Sequence, residues 1–220
     1  MRILGLDAAT AGCSAALIED GRLLARAALA LEHGHAQALV PMIVEVMEGH
    51  PFAKLDGIGV TVGPGGFTGI RVALATARGL GLAAAKPVLG VTTFAAVARG
   101  LEPPPESGKL LVLIESKRRD LYAQLFMGAD RPAAEPAALL PEGLPAYAGE
   151  GPLLLAGDGA ARAAPLFGSS ARIAHGPARP DAAAVAAIAA ELLARSGPPP
   201  GPPRALYLRA PDVTIPKERR

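Results

Sequence analysis

Two segments of the chain combine residue types that can do phosphate chemistry. The first is Asp7-Ala8-Ala9-Thr10, in which a carboxylate and a hydroxyl follow an alternating apolar stretch. At the end of a strand, a turn exposes backbone N–H groups, and these side chains could then hold a metal-bound phosphate. Alternatively, both side chains could simply satisfy amides of the turn. The spacing leaves both interpretations open.

The second segment is a glycine-rich loop at residues 62–69, between an apolar run and a helical pattern. Glycine permits positive φ and close backbone approach, and a helix N-terminus favours an anion. The loop is not a Walker A motif, because no Gly-Lys-Ser/Thr follows. A tight structural turn is the alternative. The candidates for phosphate or nucleotide contact are Asp7, Thr10, Gly63, Gly65 and Gly66.

Other reactive residue types predict no catalytic or metal site. His33 and His35 are two positions apart without a nearby cluster of Cys, Asp or Glu, so we expect His35 to orient the start of a helix. Cys13 alternates with apolar residues and is predicted to be a small buried hydrophobe. The basic residues 117–119 (Lys-Arg-Arg) form a short turn that we expect to be solvated, although it could contact phosphate.

Composition excludes several classes of protein. Of the 220 residues, 26 are Gly and 22 are Pro, but 50% are hydrophobic, which excludes a disordered chain or a collagen. A net charge of +2, spread evenly, excludes a polybasic nucleic-acid arm. A single cysteine excludes an internal disulfide and suits a reducing compartment. With no signal peptide and no apolar run of about 18 residues, we expect a cytoplasmic protein without a membrane span.

Hydrophobic periodicity predicts a mixed sheet with helices in the first half of the chain. In chain order the predicted elements are strands at 2–7, 13–19 and 22–29, a helix at 36–49, a strand at 57–62, a helix at 68–85, a strand at 88–91 and a helix from 93.

The second half begins in a similar way, which indicates an internal duplication. We predict a hairpin of 109–115 and 121–127, a strand at 153–156, and a helix at 181–195 capped at Asp181 or Pro180. Only 4 of the 22 prolines precede residue 101. The proline run 103–105 therefore marks a boundary between subdomains 1–102 and 103–220, with the C-terminal helix and tail able to pack back on the first.

The helix after the glycine loop carries small residues at every fourth position. These are Gly69, Ala73, Ala77 and Gly81. Such a stripe can pack on its own sheet or admit a partner. Met42 and Met47 on the preceding helix belong to an apolar face of the type used for adaptable binding. A docking surface on the helix pair is therefore a candidate.

Several motifs together resemble those of the TsaB (YeaZ) family. They are residues 3–10, the helix entry 35–41, residues 87–93 and 206–209, and above all 63–71 (Gly-Pro-Gly-Gly-Phe-Thr-Gly-Ile-Arg). The resemblance is strong over residues 1–100 and patchy afterwards. It implies an α/β fold of the actin-like, sugar-kinase and heat-shock-ATPase type, with two related subdomains built on mixed sheets, the second one reduced.

The resemblance also implies a function. It suggests a non-catalytic subunit that activates the TsaD transferase in forming threonylcarbamoyladenosine beside the anticodon of tRNA. The implied partners are TsaD, the ATPase TsaE, tRNA through the complex, and a second copy when the chain is alone. No intrinsic cofactor is implied, although ATP or ADP could bind at the interface with TsaD.

In the family, the two helices flanking the glycine loop form the dimer and TsaD contacts. Mapped here, the expected interface residues are His35, Leu39, Met42, Ile43, Val46, Met47, Phe67, Ile70, Arg71, Leu74, Ala77 and Arg78.

The aligned positions of the TsaD metal ligands support a non-catalytic role. TsaD carries a His-x-x-x-His pair where this chain has Thr93 and Val97, and neither residue is a usable ligand. The second half also departs from the family, with Glu115, Lys117 and Arg119 in place of the favoured Asp, Arg and Gly. A complete nucleotide cleft within this chain is therefore not expected. The main alternative is a small-molecule kinase or ATPase that uses Asp7; a metallopeptidase would lack ligands and a base.

Overall fold

The first half of the chain forms a mixed five-stranded sheet. The computed structural model of the protein describes residues 1–103 and 105–209. The elements of the first half are β1 (Arg2–Asp7), β2 (Cys13–Glu19), β3 (Arg22–Leu29), α1 (His35–Val46), β4 (Gly57–Thr61), α2 (Phe67–Ala84), β5 (Val88–Val91) and α3 (Thr93–Arg99). The sheet order is β3-β2-β1-β4-β5, in which β1 to β3 pair antiparallel and β1, β4 and β5 pair parallel. These elements confirm the predicted ones, except that α1 ends at Val46.

The second half repeats the same topology. Its elements are β6 (Lys109–Glu115), β7 (Leu121–Met127), β8 (Ala137–Leu139), α4 (Leu144–Ala148), β9 (Leu153–Ala156), α5 (Ala160–Ala163), β10 (Ala171–Ile173) and α6 (Ala182–Ser196). The order β8-β7-β6-β9-β10 has the same pattern of antiparallel and parallel pairs. An internal duplication is therefore visible in the sheets.

The second half is reduced most in its helices, and its edge strand β8 has 3 residues where the equivalent β3 has 8. Helices α1 and α2 have 12 and 18 residues, whereas α4 and α5, at the equivalent places, have 5 and 4. The sheet keeps all five strands. The sequence did not predict β8, β10, α4 or α5, because segments of three to five residues are too short to show a period.

The last helix of each half packs on the other half. Helix α6 lies on the first sheet so closely that a Cβ on Gly5 would be 2.0 Å from the Ala182 carbonyl oxygen. In return, Phe94 and Val97 of α3 enter a core cluster with Val112 of β6. These exchanged helices fix the positions of the two sheets. No helix within residues 1–103 or 105–209 is long and apolar enough to cross a bilayer.

Helices α1 and α2 cover the other face of the first sheet. Side chains alternate along a strand, so Ile3 belongs to the cluster under α6 whereas Leu4 and Leu6 belong to the cluster under α1 and α2. The outward faces of α1 and α2 are consequently the exposed surface on this side of the molecule.

Candidate functional site

The acidic turn and the glycine loop meet at one edge of the first sheet. Because β1 and β4 are adjacent and parallel, their carboxyl ends bring Asp7 and Thr61 together. The Thr61 hydroxyl donates to Asp7 Oδ1 at 2.7 Å, and the Ala9 backbone N–H donates to the same oxygen at 3.0 Å. Asp7 is only 1% exposed. Its carboxylate therefore serves as an acceptor within its own turn.

The glycines allow the two segments to touch through their backbones. The Gly66 N–H donates to the Ala9 carbonyl oxygen at 2.7 Å, and a Cβ on Gly65 would lie 2.0 Å from that oxygen. A Cβ on Gly63 would lie 2.8 Å from the Leu206 carbonyl oxygen. The close approach that these glycines permit is thus made by the chain itself. Contact of this loop with phosphate remains a prediction. The Gly66 N–H would not contribute to it while it donates to the Ala9 carbonyl oxygen.

Burial strongly perturbs two titratable groups here. It raises the pKa of Asp7 from 3.8 to about 7, although hydrogen bonds from Thr61 and Ala9 act in the opposite direction. It also raises the pKa of Cys13 to about 12, with a smaller contribution from the Asp7 charge. Cys13 is 2% exposed, which confirms the predicted small hydrophobe, and its thiol stays protonated near neutral pH.

We expect Asp7→Asn to stabilise the protein at pH 8 and to flatten its pH profile. Between about pH 4 and 7, the folded chain binds the Asp7 proton and the unfolded chain releases it. The free energy of unfolding therefore falls with rising pH across this window, by an amount on the order of 3 kcal/mol. Asparagine keeps the acceptor oxygen for Thr61 and does not titrate.

Urea unfolding of wild type and variant at about pH 4.5 and pH 8 measures this difference. Glu32→Gln, at an exposed position, is the control and should leave the profile of the wild type unchanged. Identical profiles for wild type and Asp7→Asn would show that Asp7 does not take up the proton.

His35 connects the start of α1 to the acidic turn. Its Nε2 lies 3.0 Å from the Thr10 carbonyl oxygen, so it orients the helix as predicted. No three side chains of His, Cys, Asp or Glu converge as a metal site among the described residues.

Seven of the predicted interface side chains lie in the core of the chain itself, so their assignment to a docking surface is wrong. Each is at most 5% exposed: Leu39, Ile43, Val46, Met47, Ile70, Leu74 and Ala77. Their helical spacing marks the face that packs on the sheet. His35 and Met42 are half-buried, whereas Phe67, Arg71 and Arg78 are exposed.

The small-residue stripe also packs inward. A Cβ on Gly69 would be 1.9 Å from the Ala8 carbonyl oxygen, and one on Gly81 would be 2.4 Å from a Val88 methyl carbon. Of the two alternatives for this stripe, packing within the chain or contact with a partner, the structure thus shows packing within the chain.

Exposed apolar residues that the sequence analysis missed lie on the opposite side of both helices. Val44 is 64% exposed and Leu82 is 86% exposed, with Val40 at 51%. Ala75 and Gly79 are exposed beside them. The sequence could have indicated them, because these apolar residues lie outside the helical stripe that packs on the core, at positions where polar residues are usual. We call this surface the α1/α2 outer face; its members are Val40, Val44, Phe67, Arg71, Ala75, Arg78, Gly79 and Leu82.

A C-terminal segment, residues 203–207, packs along α2. The ring centroids of Phe67 and Tyr207 are 5.5 Å apart, and the Arg71 guanidinium carbon lies 4.0 Å from the Phe67 centroid. Arg78 donates to the Pro203 carbonyl oxygen. Residues 203–207 therefore border the α1/α2 outer face.

Two sheets of matching order with exchanged terminal helices define the actin-like class of α/β proteins. The polyphosphate/ATP-glucomannokinase of Arthrobacter shares this fold, with a TM-score of 0.51 at 12% identity over 88% of this chain and 99% of that one. YeaZ from Pseudomonas aeruginosa superposes with a TM-score of 0.77 at 26% identity, over 90% of this chain and 94% of the other. A further P. aeruginosa protein, described as similar to peptidase YeaZ, gives 0.81 at 26%, over 94% and 99%.

Sequence comparisons agree with the structural ones. Residues 29–142 match the family model described as TsaD, tRNA N6-adenosine threonylcarbamoyltransferase. The Escherichia coli tRNA threonylcarbamoyladenosine biosynthesis protein TsaB is 33% identical over 56% of this chain and 53% of its own length. An uncharacterized Mycobacterium tuberculosis protein is 30% identical over 96% of this chain and 93% of its own.

The match thus spans about half of the length of the E. coli relative but nearly all of the mycobacterial one. The chain belongs to the TsaB (YeaZ) family.

Proposed function

We propose that this chain is a non-catalytic subunit that binds and activates the TsaD transferase in forming threonylcarbamoyladenosine on tRNA. Relatives named TsaB are tRNA threonylcarbamoyladenosine biosynthesis proteins, and the matching family model is that of the transferase. The observation that carries the proposal is the α1/α2 outer face, on which Val40, Val44, Phe67 and Leu82 are exposed although the core of the fold does not use them.

Both helices contribute to one continuous surface. His35 at the start of α1 lies 3.6 Å from where a Cβ on Gly69, near the start of α2, would be. Both helices begin at the carboxyl edge of the sheet and run back over it, so they are parallel neighbours. Val44 and Leu82 therefore lie towards the same end of the surface, opposite Phe67.

The presence of glycine at position 79 supports the binding of a second chain at this surface. A Cβ there would meet nothing within 4 Å, so the packing of the chain does not require glycine. Glycine within a helix costs about 1 kcal/mol relative to alanine. With Ala75 and Ala83 one turn away on either side, Gly79 permits close approach of a partner helix.

The residues at the metal-ligand positions of TsaD support a subunit without the transfer reaction. Thr93 and Val97 are fully buried on α3. The alternative kinase requires acidic groups poised towards phosphate, but the Asp7 carboxylate is buried and bonded to Thr61. We therefore favour the partner role.

The same surface would pair two copies in the absence of TsaD, since a self-complementary patch gives a twofold dimer. We propose that TsaE joins the assembly with TsaD, and that any ATP or ADP binds at the TsaD interface rather than in this chain alone.

Light scattering during size-exclusion chromatography tests the assembly. The chain alone should elute at twice its mass of 22.2 kDa, and addition of TsaD should convert this dimer into a complex containing both proteins. Runs with and without ATP would show whether nucleotide strengthens the complex. A chain that elutes unchanged after mixing with TsaD under both conditions would refute the proposal.

A further inference from the structure

A cavity lies between the end of helix α2 and the proline-rich segment that follows α6. Its volume is about 560 Å³, within the range of small-ligand sites, about 300–1,000 Å³. Apolar side chains line much of it, among them Leu82, Val88, Pro199 and Pro202. Val88 is buried, whereas Leu82 is 86% exposed. We call this site the proline cavity.

The proline cavity is positively charged. Its basic residues are Arg78 and Lys86, and none of the described residues that line it is acidic. Within residues 1–103 and 105–209, neither of these two cations pairs with a carboxylate. Arg78 donates to the carbonyl oxygen of Pro203, which carries no charge. A ligand that brings a carboxylate would therefore meet opposite charge without an acidic competitor.

The backbone on both sides of the cavity is held in place before any ligand binds. The Lys86 N–H donates to the Gly81 carbonyl oxygen at 2.8 Å, which closes the end of α2 with Ala85 in the left-handed region. In the proline-rich segment the rings restrict φ, and a Cβ on Gly90 of β5 would lie 2.9 Å from the Cβ of Pro203. Binding to a preformed cavity loses little conformational entropy.

The proline cavity is continuous with the α1/α2 outer face. Arg78 and Leu82 are four positions apart on α2, so they share one side of the helix, and both belong to the outer face and to the cavity lining. A partner that covers the outer face therefore reaches the cavity as well. The apolar walls favour a protein segment over nucleic acid, for which the two cations alone would suffice.

We propose that the proline cavity receives an acidic segment of the partner that docks on the α1/α2 outer face. An apolar side chain of that segment packs between Leu82 and the prolines, and a neighbouring carboxylate binds Lys86 and Arg78. The identity of the partner as TsaD rests on the proposed function. Charges at an interface steer association and exclude partners of like charge. The cavity thus adds selectivity that apolar contacts alone do not give.

Zero-length cross-linking of the complex tests the inference. A water-soluble carbodiimide joins a lysine amine to a carboxylate in contact with it, without a spacer. After treatment of the complex with TsaD, mass spectrometry of the tryptic peptides should show Lys86 joined to an aspartate or glutamate of TsaD. Lys86→Arg is the matched control, because it keeps the charge but has no amine to couple. It should bind TsaD with nearly the affinity of wild type and give no link at this position.

Reversal of the charge at the same position gives a second measurement. Lys86→Glu should weaken TsaD binding about tenfold at low salt, and the difference from wild type should shrink at about 1 M salt, where the Debye length is about 3 Å. Arg172→Glu makes the same reversal at an exposed position on β10 and should leave the affinity unchanged. Because a cation near the end of a helix also favours its dipole, thermal unfolding of Lys86→Glu checks that the variant is folded.

The possible failures are distinguishable. A complex with TsaD that shows no link at Lys86 and keeps its affinity in Lys86→Glu would refute this inference and leave the proposed function intact. A link from Lys86 only to a second copy of the chain would assign the cavity to a homodimer and overturn the inference. Loss of tRNA binding in Lys86→Glu with TsaD binding unchanged would overturn it in favour of nucleic acid. No complex of wild type with TsaD would refute the proposed function, and this partner with it.

Discussion

Val44→Glu combined with Leu82→Glu is expected to weaken binding to TsaD by about 100-fold or more, equivalent to about 2.7 kcal/mol. Both side chains are mostly exposed, at 64% and 86%, so the chain alone does not depend on their packing. In a complex, the two new carboxylates would lose their hydration and replace apolar contacts, which is unfavourable. Isothermal titration calorimetry with purified TsaD measures the loss.

The control for this pair is Leu23→Glu with Leu166→Glu. These leucines are also exposed, at 48% and 40%, but lie on β3 and in the second half. The control should bind TsaD with the affinity of wild type, and the unfolding free energy of the Val44/Leu82 variant should stay within about 0.5 kcal/mol of wild type. Full TsaD affinity in that variant would place the interface elsewhere. Leu74→Glu is unsuitable as a test, because Leu74 is buried and its substitution would unfold the chain.

Gly69→Ala is expected to destabilise the folded chain by about 3 kcal/mol or more. The new Cβ would lie 1.9 Å from the Ala8 carbonyl oxygen, which belongs to backbone buried at the carboxyl end of β1. Relief would require α2 to move away from the acidic turn and would also break the Gly66 to Ala9 hydrogen bond. Urea unfolding monitored by circular dichroism gives the free-energy difference.

Gly79→Ala, the same substitution on the same helix, should have the opposite effect on the stability of the folded chain. With nothing within 4 Å of its new Cβ, it should stabilise the chain by about 1 kcal/mol through helix propensity. If Gly69→Ala were as stable as Gly79→Ala, the close contact between α2 and the acidic turn would be disproved.

The positions of most strands and long helices could be predicted from the sequence. Alternating apolar residues mark β1 and β6, and a 3.6-residue period marks α1, α2 and α6, because these patterns reflect which side of an element is buried. The short strands β8 and β10 escaped prediction, since their pairing depends on neighbours in the sheet.

The sequence by itself determined the family and predicted a candidate site, because residues 63–71 and the acidic turn at 7–10 are local motifs. Only the tertiary structure decided what those motifs contact. Gly65 and Gly69 meet the carbonyl oxygens of Ala9 and Ala8, which are distant in sequence, so no local pattern could distinguish a turn packed on itself from one open to phosphate.

The same reason separates the core face of the helix pair from its outer face. A helical period reveals an apolar stripe, and core and partner surfaces both use apolar side chains. The sequence predicted a docking surface on α1 and α2, which stays a prediction, and it assigned residues such as Ile43 and Leu74 to that surface. The packing of both helices on the sheet buries those residues and leaves Val44 and Leu82 exposed, because each is one position beyond a buried residue (Ile43 and Gly81) and therefore points about 100° away from it around the helix axis.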